Sequence, residues 1–277
     1  MSEKWQEFLT DKQLKKVQSI EIENLKLFIK ICNELKLEYV VYGGTLLGAI
    51  KYNNIIPWDD DIDVAMPRKD YDKFVREAGE HLPEGYILQT PYNEKKSPYA
   101  YTKLRKKGTK YIEEFHHKLD IEKGVYIDIY PIDNIPNDDK LRKKQFKKVK
   151  FWILIYYYRQ CLRIKKTKSF KLINKYIILT VLYCILRLIP QKFIINKIDY
   201  NMTKYNSDDT DRKACLFSPN YDNIYTRFYP LVTKQFGDIK VFSPNCYDDH
   251  LTKRYGDYKK ELPDDKKIGH IPYEIEL

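Results

Sequence analysis

Residues 42–71 read YGGTLLGAIKYNNIIPWDDDIDVAMPRKDY, and this stretch decides the fold class. Between the apolar runs IIPW and VAM it places four aspartates within five positions: Asp59, Asp60, Asp61 and Asp63. Carboxylates repel one another and are costly to bury, so a cluster beside apolar residues needs a compensating charge. The pattern favours a bound cation over a solvated acidic turn.

The residues on either side of the cluster predict a strand, a glycine turn and a helix. DIDVAM alternates carboxylate and apolar side chains, which places Asp61 and Asp63 on one face of a strand. Upstream, the β-rich run LEYVVYGG ends in Gly43 and Gly44, and TLLGAIKY can open a helix with Thr45 as its cap. A glycine pair at a helix start lets the backbone approach a ligand and offers free N–H groups to phosphate.

A second predicted strand also carries a carboxylate among apolar residues. In GVYIDIYPID, the β-branched residues take one face, and Tyr126, Asp128 and Tyr130 take the other. Two carboxylates at positions i and i+2 of a strand can share Mg²⁺, and Asp61 and Asp63 have that spacing. Asp128 would complete the metal site.

Charge divides the chain into unlike parts. From Lys140 to Tyr200 there are 17 Lys or Arg and one acid, whereas the remainder holds 33 basic and 38 acidic residues. We therefore predict a catalytic core at 1–138, a basic and apolar helical insertion at 139–200, and a loop-like C-terminal segment at 201–277 that packs back near the active site. The insertion is predicted to lie on a membrane surface, the alternative being a helical subdomain with a solvated basic face.

The predicted cellular compartment depends on the cysteines and on the first residues of the sequence. Five scattered cysteines form no CxxC or Cys/His pattern, and the first residues, MSEKWQEFLTDKQLKK, have no apolar signal-peptide region. We expect a cytoplasmic protein that associates with the inner face of the cell membrane.

The glycine pair, the D-h-D strand and the third strand aspartate resemble the nucleotidyltransferase fold, an α/β architecture with a mixed β-sheet flanked by helices. More narrowly, YGGTLLGAI followed by IPWDDDIDVAMPRKDY resembles the signature of the LicD family of phosphocholine transferases, in the same superfamily as the fukutin-type phosphosugar transferases. The resemblance continues through YTKLRKKGT and GVYIDIYPID. The chain departs from it with Lys51-Tyr52 in place of an Arg-His pair and with Asn54 in place of a glycine.

The resemblance implies transfer of a phosphoryl-linked group from a CDP-activated alcohol to a sugar hydroxyl of a cell-surface glycan or its lipid-linked precursor, with release of CMP. Mg²⁺, or Mn²⁺ in its place, would be held by Asp61, Asp63 and Asp128. Asp59 and Asp128 are alternative general bases. The phosphates would be cradled by Gly43, Gly44 and Thr45, and the diphosphate would be faced by Lys103 and Arg105.

CDP-choline is the favoured donor, while CDP-ribitol, CDP-glycerol and CDP-ethanolamine stay open. Aromatic faces recognise a trimethylammonium group best, and Trp58, Tyr126 and Tyr130 are the candidate cage. His270 is expected to close over the acceptor.

Two other classes of function remain possible at this stage. The same carboxylates fit a nucleotidyltransferase acting on RNA or a small molecule, although long aliphatic runs in the basic insertion suit lipid better than nucleic acid, and we expect no nucleic-acid partner. A non-catalytic membrane adaptor on the same fold is the other alternative.

Overall fold

The computed structural model describes residues 9–161, 170–217 and 224–277, and the side chains of 170–176 are not part of that description. Within these ranges the chain is an α/β protein, as predicted. Its helices are α1 (Asp11–Leu35), α2 (Gly43–Lys51), α3 (Arg68–Glu77), α4 (Asp139–Gln160), α5 (Phe170–Arg187), α6 (Gln191–Thr203) and α7 (Tyr247–Tyr255).

The strands are β1 (Val40–Val41), β2 (Asp63–Pro67), β3 (Tyr86–Gln89), β4 (Thr102–Lys106), β5 (Lys110–Ile112), β6 (Tyr126–Asn134), β7 (Lys213–Ala214), β8 (Ile224–Tyr225), β9 (Val232–Phe236), β10 (Ile239–Ser243) and β11 (Glu274–Glu276). The central sheet has the order β1-β2-β6-β4-β3, and β7 and β8 extend it from β6. Strands β2 and β6 are parallel, and the other neighbours in the sheet are antiparallel.

The sheet register brings distant charged residues side by side. Asp63 on β2 pairs with Asp128 on β6, which in turn pairs with Lys103 on β4. The opposite face of β6 carries Ile127 and Ile129, which are fully buried in the main core. The predicted two faces of GVYIDIYPID are therefore confirmed, and the strand positions three charged side chains in a row.

Helix α2 begins two residues earlier than the sequence predicts. Its first backbone bond runs from the Leu46 N–H to the Tyr42 carbonyl, so Tyr42 is the N-cap and the prediction of Thr45 as a cap was wrong. The left-handed backbone of Gly43, with φ of 57°, makes the turn into the helix. Thr45 thus lies inside the first turn, where its hydroxyl faces β2.

The C-terminal segment is more ordered than its loop-like composition predicts. Strands β9 and β10 form a hairpin through Gly237, and Phe236 and Val241 are buried in the main core. Helix α7 follows the hairpin, and β11 pairs with β5. The expectation of a loop was wrong because these strands take their stability from contacts with the core, which local composition does not reveal.

The predicted helical insertion packs on the core through α4 and α6. Val149 and Tyr156 of α4 and Ile194 and Ile198 of α6 share one buried apolar cluster. The Tyr156 hydroxyl also donates to the carbonyl of Ser97, at 3.0 Å. The basic run at residues 162–169 lies outside the described residues.

Helix α5 presents large apolar side chains to solvent. Ile178 is 67% exposed, and Leu188, just after the helix, is 83% exposed. Within the described residues no single helix has the length and hydropathy needed to cross a membrane. One pair of helical segments, Ile177–Arg187 and Gln191–Thr203, bent by 91°, meets that requirement when taken together, by length and composition only.

Candidate active site

The start of α2 is in direct contact with two of the predicted aspartates. A Cβ on Gly43 would lie 2.8 Å from Oδ2 of Asp63, and a Cβ on Gly44 would lie 2.7 Å from Oδ2 of Asp59. Both distances are below normal van der Waals contact, so only glycine allows the carboxylates to approach here. The glycine pair therefore brings backbone N–H groups and carboxylates to one point.

The hydroxyl of Thr45 has a structural partner. It accepts a hydrogen bond from the Asp63 N–H at 2.8 Å, and the Asp63 carbonyl accepts from the Tyr42 N–H at 2.9 Å. These two bonds fasten the first residue of β2 to the first turn of α2. Thr45 is also 2% exposed, so its place in the structure is between helix and strand.

The carboxyl groups of Asp59 and Asp61 are close enough to hydrogen-bond to each other. Burial raises the pKa of Asp61 to about 6; the charge of His270 opposes this rise and that of Asp60 adds to it. Burial and then the charge of Asp61 raise the pKa of Asp59 as well. The cluster is therefore short of positive charge, the condition that a cation would relieve.

Helix α1 contributes a carboxylate that we did not anticipate from the sequence. Glu21 is 2% exposed, and burial together with the nearby charges of Asp60 and Asp61 raises its pKa. Its place on the buried stripe of α1, beside apolar residues, is the signal that could have revealed it. Glu21 thus adds a buried carboxyl group close to the cluster.

Asp60 anchors the C-terminal segment. Its carboxylate accepts hydrogen bonds from the Tyr111 hydroxyl and from the His270 N–H, the latter at 2.8 Å. The His270 ring lies 3.3 Å from Asp60 and 3.8 Å from Asp61. The hydrogen bond with Asp60 is the main reason why the pKa of His270 rises to about 10. The structure thus brings His270 to the acidic cluster.

Asp128 is held by three donors. Its Oδ1 lies 2.5 Å from Nζ of Lys103, and its Oδ2 accepts from the hydroxyls of Tyr101 at 3.2 Å and Tyr130 at 3.0 Å. The Lys103 ammonium lies 3.4 Å from the centre of the Tyr126 ring. Both oxygens of Asp128 are engaged, and the positive charge of Lys103 is committed to this carboxylate.

The prediction that Lys103 and Arg105 face a diphosphate together does not match the structure. Arg105 is fully buried and donates to Oε1 of Gln89 at 2.8 Å and to the carbonyl of Gly124 at 2.7 Å. A guanidinium inside the fold must find its acceptors there; Nε and Nη1 of Arg105 do so, whereas its Nη2 has no hydrogen-bond partner among the described residues. Arg105 supports the sheet.

The structure does not assemble Trp58, Tyr126 and Tyr130 into one cage. Trp58 contacts the Tyr52 ring at 5.8 Å, and the Tyr126 ring lies beneath the Lys103 ammonium. Only Tyr130 of the three lines a pocket of about 400 Å³ beside Asp63. The other aromatic rings of this pocket, named the aromatic pocket below, are Tyr42, Tyr99, Tyr101, Phe115, Tyr157 and Phe217.

Arg254 of α7 also lines the aromatic pocket, and we did not anticipate it from the sequence. Its guanidinium lies 5.4 Å from the centre of the Tyr42 ring, and Nη2 is 3.9 Å from the Cβ position of Gly43. The expectation that residues 201–277 pack back near the active site is the only sequence signal that pointed toward it. A guanidinium here faces the same space as the glycine pair.

A larger cavity of about 530 Å³ lies elsewhere, between α3 and the loop after β3. Its lining includes Tyr71, Arg76 and Tyr92 and none of the predicted site residues. We therefore place the candidate active site at the aromatic pocket and the acidic cluster.

The side chains of the acidic cluster are of the chemical type that binds a hard cation. Asp59, Asp61 and Asp63 offer carboxylate oxygens, the ligands that Mg²⁺ prefers. As the side chains of the described residues stand, no three His, Cys, Asp or Glu groups are arranged closely enough to hold a metal ion. Binding would therefore require side-chain rearrangement, above all of Asp128.

Comparison with known proteins identifies the family of the chain. Residues 36–174 match the family model described as LicD/FKTN/FKRP, nucleotidyltransferase domain. A lipopolysaccharide cholinephosphotransferase, LicD, of Haemophilus influenzae is 30% identical over 273 residues, which is 93% of this chain and 96% of the relative. Two uncharacterised proteins match shorter stretches. The one from Rickettsia typhi is 33% identical over 29% of this chain and 28% of its own length. The one from Rickettsia prowazekii is 37% identical over 22% of this chain and 26% of its own length.

The sheet, the glycine pair and the acidic cluster, together with the matched domain, define an enzyme with a nucleotidyltransferase domain. The match to a relative over almost its whole length extends the similarity beyond that domain. The chain belongs to the LicD family, and it is an enzyme of the LicD type, a transferase of phosphorus-containing groups.

Proposed function

We propose that the protein transfers phosphocholine from CDP-choline to a sugar hydroxyl of a lipopolysaccharide-type glycan or its lipid-linked precursor, releasing CMP. The observation that carries this proposal is the contact of Asp59 and Asp63 with the glycine-led start of α2. This contact puts phosphate-binding N–H groups beside carboxylates. The activity named for the Haemophilus influenzae relative supports the choice of phosphocholine.

We propose Mg²⁺, with Mn²⁺ as a substitute, as the cofactor, held by Asp61 and Asp63. When bound, the ion would neutralise charge on the diphosphate and on the leaving CMP. Asp128 would join as a third ligand beside the three donors that hold it, since a carboxylate has about four acceptor sites. Burial, followed by repulsion from Asp60 and Asp128, raises the pKa of Asp61, and this need for a compensating charge supports the assignment.

The protein's own residues supply the remaining chemistry. N–H groups at Gly43 and Gly44 would bind phosphate oxygens, and the Arg254 guanidinium, facing the same space, would bind the transferred phosphoryl group. Of the two candidate bases, Asp59 fits better, because both oxygens of Asp128 already accept hydrogen bonds. Asp59 would take the proton of the attacking hydroxyl.

We also propose that the enzyme works at the inner face of the cell membrane, with the exposed side chains of α5 in contact with lipid. Ile178 and Leu188 give this region an apolar surface, and the neighbouring sequence is strongly basic. Apolar and basic side chains together favour an anionic bilayer surface. This contact would bring a lipid-linked acceptor to the site.

A donor panel tests the transfer reaction. CMP release is measured with CDP-choline, CDP-ethanolamine, CDP-glycerol, CDP-ribitol, CTP and ATP, with and without Mg²⁺, for the wild type, Asp61→Asn and, as a matched control, Asp208→Asn at an exposed position. We expect metal-dependent CMP release from CDP-choline that Asp61→Asn loses and Asp208→Asn keeps. Turnover of CTP or ATP alone would overturn the proposal.

Vesicle sedimentation tests the membrane contact separately. The double variant Ile178→Asp with Leu188→Asp should bind anionic phospholipid vesicles at least ten-fold more weakly than the wild type, because each charge opposes burial in the interface. Leu262→Asp, a matched change at another exposed leucine, should bind like the wild type. Equal binding by all three proteins would contradict the proposed contact.

A further inference from the structure

The aromatic pocket combines features that neither the acidic cluster nor the metal site explains. It joins Tyr42 and Tyr130 of the nucleotidyltransferase core to Tyr157 of α4 and Phe217 of the segment after β7. Asp63 and Arg254 lie in its wall. The pocket is therefore continuous with the place where the transferred phosphate would bind.

The aromatic rings that line the pocket pack against one another. Tyr101 lies 4.6 Å from Tyr130 and 5.4 Å from Phe217, measured between ring centres. Phe115 lies 5.8 Å from Tyr99 and 6.0 Å from Tyr157. Tyr101, Phe115, Tyr130, Tyr157 and Phe217 are only partly buried, which leaves ring surface available to a ligand.

Three of the five tyrosine hydroxyls in the pocket lining are directed at carboxylates. Tyr101 and Tyr130 donate to Asp128, and Tyr99 donates to Glu113 at 3.1 Å. These bonds hold the rings in place and commit the three hydroxyls. The pocket thus offers partly exposed aromatic surface with the Asp63 carboxylate in its wall, and such a surface attracts a cation that has no hydrogen-bonding groups of its own.

We propose that the aromatic pocket binds the trimethylammonium group of the choline moiety, an assignment that rests on the proposed phosphocholine transfer. In phosphocholine a two-carbon linker joins the quaternary nitrogen to the phosphate. The neighbourhood of Arg254 and Asp63 suits that arrangement, with the phosphate at the guanidinium and the methyl groups against the rings. A cytosine base would need hydrogen-bond partners for its polar edge, and the hydroxyls of Tyr99, Tyr101 and Tyr130 do not supply them because carboxylates already accept from them.

Helix α4 acquires a direct role in donor recognition. Tyr157 and Ile153, both inside the predicted insertion, line the pocket together with Tyr42 and Tyr130. The buried contact of α4 with α6 and with the Ser97 carbonyl fixes the position of these two side chains. The insertion, predicted from the sequence as a membrane-contact segment or a helical subdomain, also forms one wall of the donor site.

The test replaces one ring and changes one atom of the ligand. Donor KM and kcat are measured for the wild type, Tyr157→Leu and Tyr157→Phe, using CDP-choline and its neutral carbon isostere, CDP-3,3-dimethylbutanol. We expect Tyr157→Leu to raise the KM for CDP-choline about ten-fold, since one cation–π contact in a desolvated site has about that effect on affinity. Tyr157→Phe keeps the ring and should stay within about two-fold of the wild type.

The isostere separates cation recognition from simple apolar contact. The wild type should prefer CDP-choline to the isostere, and Tyr157→Leu should lose most of that preference. An equal loss for both donors would overturn the trimethylammonium assignment. Phe115→Leu repeats the test at a ring next to Tyr157, in case Tyr157→Leu does not fold.

Binding of CMP, measured by calorimetry, distinguishes the other outcomes. Its Kd should be the same in the wild type and Tyr157→Leu, and a weaker Kd in the variant would show that the pocket holds the base instead of the choline. If the wild type turns over CDP-choline and Tyr157→Leu has the same KM for it, only this inference is refuted. Wild-type protein that releases no CMP from any CDP-alcohol would refute the proposed function itself.

Discussion

The ion pair between Lys103 and Asp128 should be one of the costliest in the protein to break. Both side chains are buried, at 1% and 8% exposure, and the two charged atoms are 2.5 Å apart. Removing one partner of such a pair leaves an unpaired charge inside the fold, which costs about 3–5 kcal/mol. We expect Lys103→Met to lower the free energy of unfolding by that amount.

A double-mutant cycle tests the physical reason. The variant Lys103→Met with Asp128→Asn removes both charges and keeps an acceptor for the hydroxyls of Tyr101 and Tyr130. It should recover about 1–3 kcal/mol relative to the sum of the two single variants. The measurement is urea denaturation followed by circular dichroism, which needs neither substrate nor metal.

A matched control comes from the same strand. Lys106 pairs with Glu23 at the surface, with side chains that are 31% and 48% exposed. Lys106→Met should cost less than about 1 kcal/mol, because water screens that pair. Equal costs for Lys103→Met and Lys106→Met, or additive effects in the cycle, would refute the argument that burial gives the Lys103 pair its importance.

Two further predictions concern the glycine turn and a buried histidine. Gly43→Ala should abolish most activity and destabilise the fold by about 1–2 kcal/mol, because φ is 57° and the added Cβ would push Asp63 away. The control is Gly79→Ala: Gly79 has open space around it, so this change should alter neither activity nor stability. Burial, aided by Arg254, lowers the pKa of His250 to about 3, so it stays neutral when folded. Below pH 6.5 only the unfolded chain gains this proton, and the wild type should lose about 2 kcal/mol between pH 8 and pH 5 relative to His250→Phe.

The Gly43 and His250 predictions each have an outcome that would contradict them. Full activity in Gly43→Ala would show that Asp63 tolerates displacement, and a similar loss in Gly79→Ala would point to a general effect on the fold. For His250 the readout is the difference between wild type and variant in urea denaturation across the pH range. A difference that does not change with pH would mean that the imidazole can take up a proton inside the fold.

The faces of the strands and the clustering of the aspartates followed from the sequence by itself. Alternation along DIDVAM and GVYIDIYPID placed Asp63 and Asp128 away from the apolar core, and the register of β2 with β6 agrees with that placement. Period-two alternation is a local property, since each side chain's face depends only on its position in the strand. The glycine pair was also readable, because left-handed backbone and close approach both require glycine.

Only the tertiary structure decided which partners these residues have. Asp128 receives Lys103 and two tyrosines, Arg105 turns inward to Gln89, and Thr45 binds the Asp63 N–H. These contacts join residues far apart in the chain, and spacing along the sequence carries no information about them. Composition alone also did not reveal the hairpin of the C-terminal segment.

The aromatic pocket shows the same limit most clearly. Tyr130 was recognisable as a site residue from its place beside Asp128, whereas Tyr157 and Arg254 come from helices more than twenty residues away in sequence. Their meeting depends on how α4 and α7 dock on the sheet, which is fixed by apolar burial over many side chains at once. The sequence determined the chemistry of the strands, and the packing of the helices determined what that chemistry faces.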